Sequence, residues 1–170
     1  MTSTSDAPQD PWHDIRPYQD DEVATTLTRL AEDPELLSAL TRYRLPRLSR
    51  MMPRLSRTLA SWAIKRETRD VTSVTAFQQR IAAYMQRMLK TSTDDFRVDG
   101  LDRLDPDTAY LFIGNHRDIS LDPAFVNYAL YLAGRNTVRI AIGDNLLKKP
   151  YVTDLMRLNK SKQSTIYCKY

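Results

Sequence analysis

A histidine, an arginine and two aspartates lie close together in the middle of this 170-residue chain. They are His116, Arg117, Asp118 and Asp122, and Asn115 precedes them. A histidine beside a carboxylate can activate a hydroxyl, because the imidazole takes the proton while the carboxylate fixes its tautomer and stabilises the imidazolium. The residue types and their spacing therefore predict a catalytic site that deprotonates a hydroxyl group.

The same residues also have a purely structural interpretation. His116 would then satisfy the loop backbone or the helix start, and Asp122 would serve only as an N-cap, because Asp followed by Pro123 is a strong helix-start signal. Two observations favour the catalytic interpretation: the strand-to-helix context, and the scarcity of histidine, since His13 is the only other one.

The apolar pattern predicts the elements that would position these side chains. Residues 110–114 are apolar or small and predict a buried strand, and residues 124–133 predict a helix ended by Gly134. Residues 137–142 predict a second strand, parallel to the first in a βαβ unit. Open α/β sheets bind ligands at the carboxyl ends of such strands, which is where His116 would lie.

The segment AYLFIGNHRDISLDPAFVN resembles the first motif of the glycerolipid acyltransferases, the lysophosphatidic acid and glycerol-3-phosphate acyltransferase family. That motif is a histidine, four residues and an aspartate, whereas five residues separate His116 from Asp122 here. The resemblance extends from Ala109 to about Ser161 and points to a bacterial 1-acyl-glycerol-3-phosphate acyltransferase-like branch. Asp122 keeps the order of the family motif, and Asp118 is the alternative partner of His116.

The resemblance implies transfer of an acyl chain from an acyl thioester to a glycerol-phosphate hydroxyl in phospholipid synthesis. The donor would be acyl-coenzyme A or acyl carrier protein, with no metal, no other cofactor and no covalent enzyme intermediate. His116 and Asp122 would be the catalytic base and its orienting carboxylate, and Arg117 and Asn115 would bind substrate. The alternative for Arg117 is a surface ion pair with Asp118.

These features together predict an α/β protein: a helical N-terminal region followed by the incomplete start of an α/β acyltransferase domain. We expect disorder over residues 1–12, the helical region over 13–92 and the partial acyltransferase domain over 93–170. The resembled family binds the acceptor phosphate with a Glu-Gly-Thr-Arg-like motif, but this sequence contains no Glu-Gly pair. The expectation is therefore a truncated copy without turnover on its own, and the alternative is an inactive remnant or a membrane-surface interaction module.

Charge is segregated along the chain, although the net charge is only +4. Residues 1–35 hold nine acidic and two basic side chains, whereas residues 36–66 hold eight basic ones and no acid. Within residues 42–66, arginines alternate with Leu, Met and a Trp, and two prolines predict short helical pieces. This pattern predicts contact with an anionic membrane surface. The alternative is an ordinary amphipathic helix whose arginines are solvated or pair with the acidic N-terminal segment.

Composition excludes several other classes of function. No nucleic-acid reader motif accompanies the basic residues, so no nucleic-acid partner is expected. Zinc-ligand spacing, a nucleotide-binding glycine loop and a G-x-S-x-G elbow are all absent from the sequence. The single Cys168 suits a reducing compartment, and the polar start does not resemble a signal peptide. We expect a cytoplasmic protein, peripheral on the inner face of the membrane.

Overall fold

The computed structural model describes residues 11–114, 118 and 121–164. This part of the chain is mostly helical, with one small parallel sheet of two strands. The elements are α1 (Asp20–Glu32), α2 (Pro34–Arg44), α3 (Pro46–Met51), α4 (Pro53–Glu67), α5 (Val74–Ser92), α6 (Leu121–Leu132), β1 (Ile140–Gly143), α7 (Pro150–Leu158) and β2 (Ser161–Ser164). The predicted disorder over residues 1–12 falls almost wholly outside the described residues.

The chain packs as two compact units. The first unit consists of residues 1–77 and 141–170, and the second consists of residues 78–140. These units cut across the ranges 13–92 and 93–170 that the sequence suggests, and that domain division stays a prediction.

In the first unit, local sequence sets where each helix begins. The Asp33 carboxylate accepts a hydrogen bond of 2.8 Å from the backbone N–H of Leu36 and so caps α2, with Pro34 at the first helical position. Pro46 and Pro53 begin α3 and α4, because proline lacks the N–H that a helix interior requires. The predicted break of residues 42–66 into short helices is confirmed.

The core of the first unit is built from apolar side chains at helical spacing. Val23, Leu27 and Leu30 form the buried stripe of α1, as their spacing predicts. Leu37 of α2 and Leu158 of α7 are also buried. Burial of these side chains is the main source of stability in this unit.

A half-buried ionic cluster joins α1 to α7 within the first unit. The Asp154 carboxylate accepts hydrogen bonds from Tyr18 Oη at 2.6 Å and from Arg29 Nε and Nη2 at 2.7 and 2.8 Å. The Arg157 guanidinium stacks on the Tyr18 ring at 4.0 Å and donates to the backbone oxygens of Arg16 and His13. Burial tends to raise the pKa of Asp154, but the bonds from Arg29 and Tyr18 outweigh it and hold that pKa below its ordinary value.

The second unit has its own apolar core. Ala82, Met85 and Leu89 of α5 pack with Tyr128 of α6. The Phe96 ring lies 5.9 Å from the Tyr128 ring and 5.6 Å from the Phe125 ring, in tilted aromatic pairs. Phe96 and Phe125 thus pack against the edge of this core. The three- and four-residue spacing of the apolar residues in α5 predicts this buried stripe, and Tyr84, which is half exposed, is the exception.

The strand predictions are partly wrong. Residues 110–114 form no strand, and their side chains are exposed. Residues 96–98, in which Phe and Val also favour a strand, form none. The strand predicted over 137–142 is confined to β1, which pairs with β2. A run of apolar residues indicates a preference for strand conformation, but a strand also requires a neighbouring strand with which its backbone can form hydrogen bonds.

The apolar pattern of residues 146–158 predicts a helix over that range, but the helix begins later. A short 3-10 turn spans Asp144–Leu146, and α7 begins at Pro150, again because proline fits the first helical position. Within the described residues, no helix combines the length and apolar character needed to cross a bilayer.

Candidate active site

The two aspartates of the predicted site lie at the start of α6. Asp118 is exposed and precedes the helix, and Asp122 is half-buried in its first turn. Asn115, His116 and Arg117 lie outside the described residues, so their predicted roles stay predictions. Among the predicted site residues, the structure thus brings together the two candidate partners of the histidine.

Hydrogen bonds between side chains and backbone link Asp118 and Asp122 at the start of α6. The backbone N–H of Asp118 donates to Asp122 Oδ2 at 2.9 Å, and the backbone N–H of Leu121 donates to Asp118 Oδ1 at 2.8 Å. The backbone N–H of Asp122 also donates to the Asp118 carbonyl oxygen at 3.3 Å. This reciprocal arrangement works like a capping box, in which side chains satisfy the N–H groups at a helix start.

Capping does not exclude a second task for either carboxylate. An ionised carboxylate has two oxygens and roughly four lone-pair sites, so one backbone bond does not exhaust its capacity to accept. The N-terminus of a helix also favours a negatively charged side chain, because unpaired backbone N–H groups point toward it. A charged, positioned carboxylate in this turn has the properties needed to orient an imidazole.

α6 is held in the second unit by a pair of hydrogen bonds that the sequence did not predict. Asn127 Oδ1 accepts from the backbone N–H of Val138 at 2.8 Å, and Asn127 Nδ2 donates to the Val138 carbonyl oxygen at 3.3 Å. Thr137 donates its hydroxyl to Gln78 Oε1 at 2.8 Å, beside the same segment. The sequence signal that could have indicated these bonds is the single amide, Asn127, within the apolar run FVNYAL. The structure shows that this amide is buried, and buried amides are hydrogen-bonded.

The end of α6 is fixed by glycine, as predicted. Gly134 has a φ of 67° and lies in the left-handed region. The backbone N–H of Arg135 donates to the Leu130 carbonyl oxygen at 2.9 Å, and its Nη2 donates to the Leu104 carbonyl oxygen at 2.6 Å. Both ends of α6 are therefore defined by specific backbone partners.

A cavity of about 290 Å³ lies beside residues 110–114, which precede the site. Tyr110 and Phe112 line it together with Leu130 and Val138. Leu111 and Ile113 alternate with them and are 85% and 88% exposed, so one side of this segment faces solvent. Across the described ranges, no group of three or more His, Cys, Asp or Glu side chains is placed to hold a metal ion.

A comparison with models of known protein families gives a match that covers the residues described above. Residues 95–166 match the family model described as acyltransferase. This part of the chain is therefore similar to the acyltransferase family. The match contains the run from Asn115 to Asp122 and confirms the resemblance that the motif suggested. Searches of curated proteins and of solved structures gave no match.

Proposed function

We propose that the acyltransferase segment, residues 95–166, transfers an acyl chain from an acyl thioester to a hydroxyl of a glycerol phosphate in phospholipid synthesis. The support is the family match over a range that contains His116 and Asp122 in the order of the resembled motif. The donor in this proposal is acyl-coenzyme A or acyl carrier protein, and the acceptor is a 1-acyl-glycerol 3-phosphate.

In the proposed reaction, His116 acts as the general base. Its imidazole takes the proton of the acceptor hydroxyl as the oxygen attacks the thioester carbonyl, and the thiol leaves with a proton returned by the imidazolium. Asp122 orients the ring and stabilises its charged form. The contacts of Asp122 at the start of α6 support this role, because they hold the carboxylate in one place.

Arg117 and Asn115 are the proposed substrate-binding residues. A guanidinium presents several N–H donors in a planar fork that matches a phosphate, and an amide adds a further donor. Either group would position a glycerol phosphate or the phosphates of coenzyme A beside His116, and positioning contributes a large part of enzymatic rate enhancement.

A second candidate function, from another class, is a non-catalytic module that binds membrane surfaces. The observation that favours it is the exposed apolar and basic surface of α3 and α4, on which Met51, Leu55, Leu59 and Trp62 are all exposed. The same surface supports the proposed location, which is cytoplasmic and peripheral on the inner face of the membrane. A catalytic chain and a non-catalytic one would share this contact.

The test of acyl transfer has two steps. The coding frame beyond Tyr170 is first read for a phosphate-binding Arg motif. The chain is then assayed together with any sequence that this frame adds. Release of the thiol from an acyl thioester is followed with lysophosphatidic acid as acceptor. His116→Ala should lower the rate by about 10²–10⁴-fold with little change in stability. Turnover that survives this substitution would contradict the role of His116. A folded chain with no such motif and no turnover would favour the non-catalytic module.

A further inference from the structure

Two neighbouring stripes of α4 have different chemistry. Leu55, Leu59 and Trp62 form an exposed apolar stripe along the helix. The adjacent stripe carries Arg54, Arg57, Thr58, Ser61 and Lys65, which recur at the three- and four-residue spacing of one helix face. Cationic and hydroxyl side chains thus run parallel to an apolar edge on the same helix.

The cationic stripe faces a groove within the first unit. The groove has a volume of about 580 Å³, and Glu32, Pro34 and the buried Leu37 line its opposite side. A neighbouring depression of about 350 Å³ shares Pro34 and Arg57 with it. Arg42, Lys149 and Tyr151 also line that depression. The two spaces therefore form one continuous surface, which we call the α4 groove.

The acids of the α4 groove already have partners, whereas three of its arginines have none among the described carboxylates. Lys65 Nζ lies 2.7 Å from Glu32 Oε1, and Lys149 Nζ lies 2.9 Å from Glu35 Oε2. The arginines without such an ion pair in the described residues are Arg42, Arg54 and Arg57. Arg42 Nε and Arg57 Nε donate to the backbone oxygens of Ser38 and Pro53. The groove therefore offers the terminal N–H groups of three guanidinium groups to an anion.

We propose that the α4 groove binds the phosphate headgroup of an anionic membrane lipid. Guanidinium forks match phosphate oxygens, and the hydroxyl of Ser61 supplies a further donor. The apolar stripe beside the groove enters the acyl region while the phosphate binds in the groove. A soluble phosphate compound would use the guanidinium groups and contact Trp62, which also lines the groove, but it would leave Leu55 and Leu59 in water. The juxtaposition therefore favours a lipid.

This inference rests on the proposed contact of residues 42–66 with membranes, and it is independent of acyl transfer. It differs from general surface attraction in requiring phosphate rather than negative charge alone. The decisive measurement compares two kinds of phosphatidylcholine vesicle, one containing phosphatidic acid and the other oleic acid, matched in surface potential. The chain should bind the phosphatidic acid vesicles about tenfold more tightly, as expected when charged hydrogen bonds are added to the same surface charge. Equal binding to both would overturn the headgroup site while leaving a general membrane contact in place.

Two matched double variants test whether the preference for phosphatidic acid depends on the α4 groove. Arg54→Gln with Arg57→Gln removes two charges from the α4 groove, and Arg47→Gln with Arg50→Gln removes two from exposed positions of α3 outside it. Only the first pair should abolish the preference for phosphatidic acid, with unchanged helical circular dichroism in both. An equal loss in the two pairs would overturn the proposal. Displacement of the vesicles by millimolar glycerol 3-phosphate would assign the groove to a soluble ligand and overturn the lipid assignment.

Discussion

Asp122 accepts a hydrogen bond from the backbone of Asp118 and, in the proposed mechanism, also orients His116. Asp122→Asn separates these tasks, because an amide oxygen can still accept the backbone bond but carries no charge to stabilise an imidazolium. We expect activity to fall by about 10²–10⁴-fold while the free energy of unfolding changes little. Steady-state kinetics and denaturant unfolding of the same variant measure the two effects.

Asp118→Asn is the matched control for this prediction, since Asp118 makes the reciprocal bond at the same helix start. Its activity should stay close to that of the unchanged chain. If Asp118→Asn is instead the crippling substitution and Asp122→Asn is mild, Asp118 is the partner of His116. The motif spacing alone leaves this choice open, because one additional residue separates the histidine from Asp122 compared with the resembled family.

Asp154 accepts the hydrogen bonds of Tyr18 and Arg29 in the cluster between α1 and α7, and its side chain is only 9% exposed. Asp154→Asn removes the charge that Arg29 and Tyr18 bind, so we expect a loss of about 1.5–3 kcal/mol, the range for hydrogen bonds to charged groups. Thermal or denaturant unfolding measures it. Asp95→Asn is the control, because its pair with Arg97 is exposed and such pairs contribute little.

The same aspartate predicts a pH dependence. Its pKa is lowered in the folded chain, so its contribution to stability is complete above the unfolded value of about 4 and is lost as the pH falls through the folded value. The acid limb of the stability curve should therefore be shallower in Asp154→Asn than in the unchanged chain. Parallel acid limbs would show that this carboxylate does not couple folding to pH.

At the scale of elements, local signals gave the helices but not the sheet. Asp33-Pro34, Pro46 and Pro53 act through their own backbone geometry, so the starts of α2, α3 and α4 follow from sequence. Residues 110–114, which form no strand, show the limit, since strand formation depends on a partner elsewhere in the chain. Asn127 was missed for the same reason, because its bonds to Val138 depend on the packing of α6.

Helices α3 and α4 carry the prediction of membrane contact. Arg47, Arg50 and Arg54 are exposed beside apolar side chains that include Met51, which is 81% exposed. A basic residue near an anionic surface contributes about 1 kcal/mol, so reversal of three charges should abolish binding. The measurement is co-sedimentation of the Arg47→Glu, Arg50→Glu, Arg54→Glu variant with anionic and neutral liposomes. Equal binding of the unchanged chain to both lipids, or full binding by the variant, would contradict the prediction.

At the scale of the whole molecule, the exposed apolar segment before the site leads us to predict self-association. Residues 110–113 are apolar and uncharged, and the structure gives no backbone hydrogen-bond partner, within the described residues, for Leu111, Phe112 or Ile113. Unpaired backbone with apolar side chains is a template for pairing between chains. The unchanged chain should therefore self-associate as its concentration rises.

Replacing Leu111 and Ile113 with Ser should reduce this association, which light scattering across a concentration series measures. Both side chains face solvent, so their loss should leave the free energy of unfolding nearly unchanged. Phe112→Ser is the contrasting variant, because Phe112 lines the 290 Å³ cavity with Leu130 and its loss removes apolar packing. That variant should unfold more easily without becoming less prone to associate. Unchanged association after substitution of both exposed residues would show that copies meet through another surface, and the exposed apolar stripe of α4 would be the next to test.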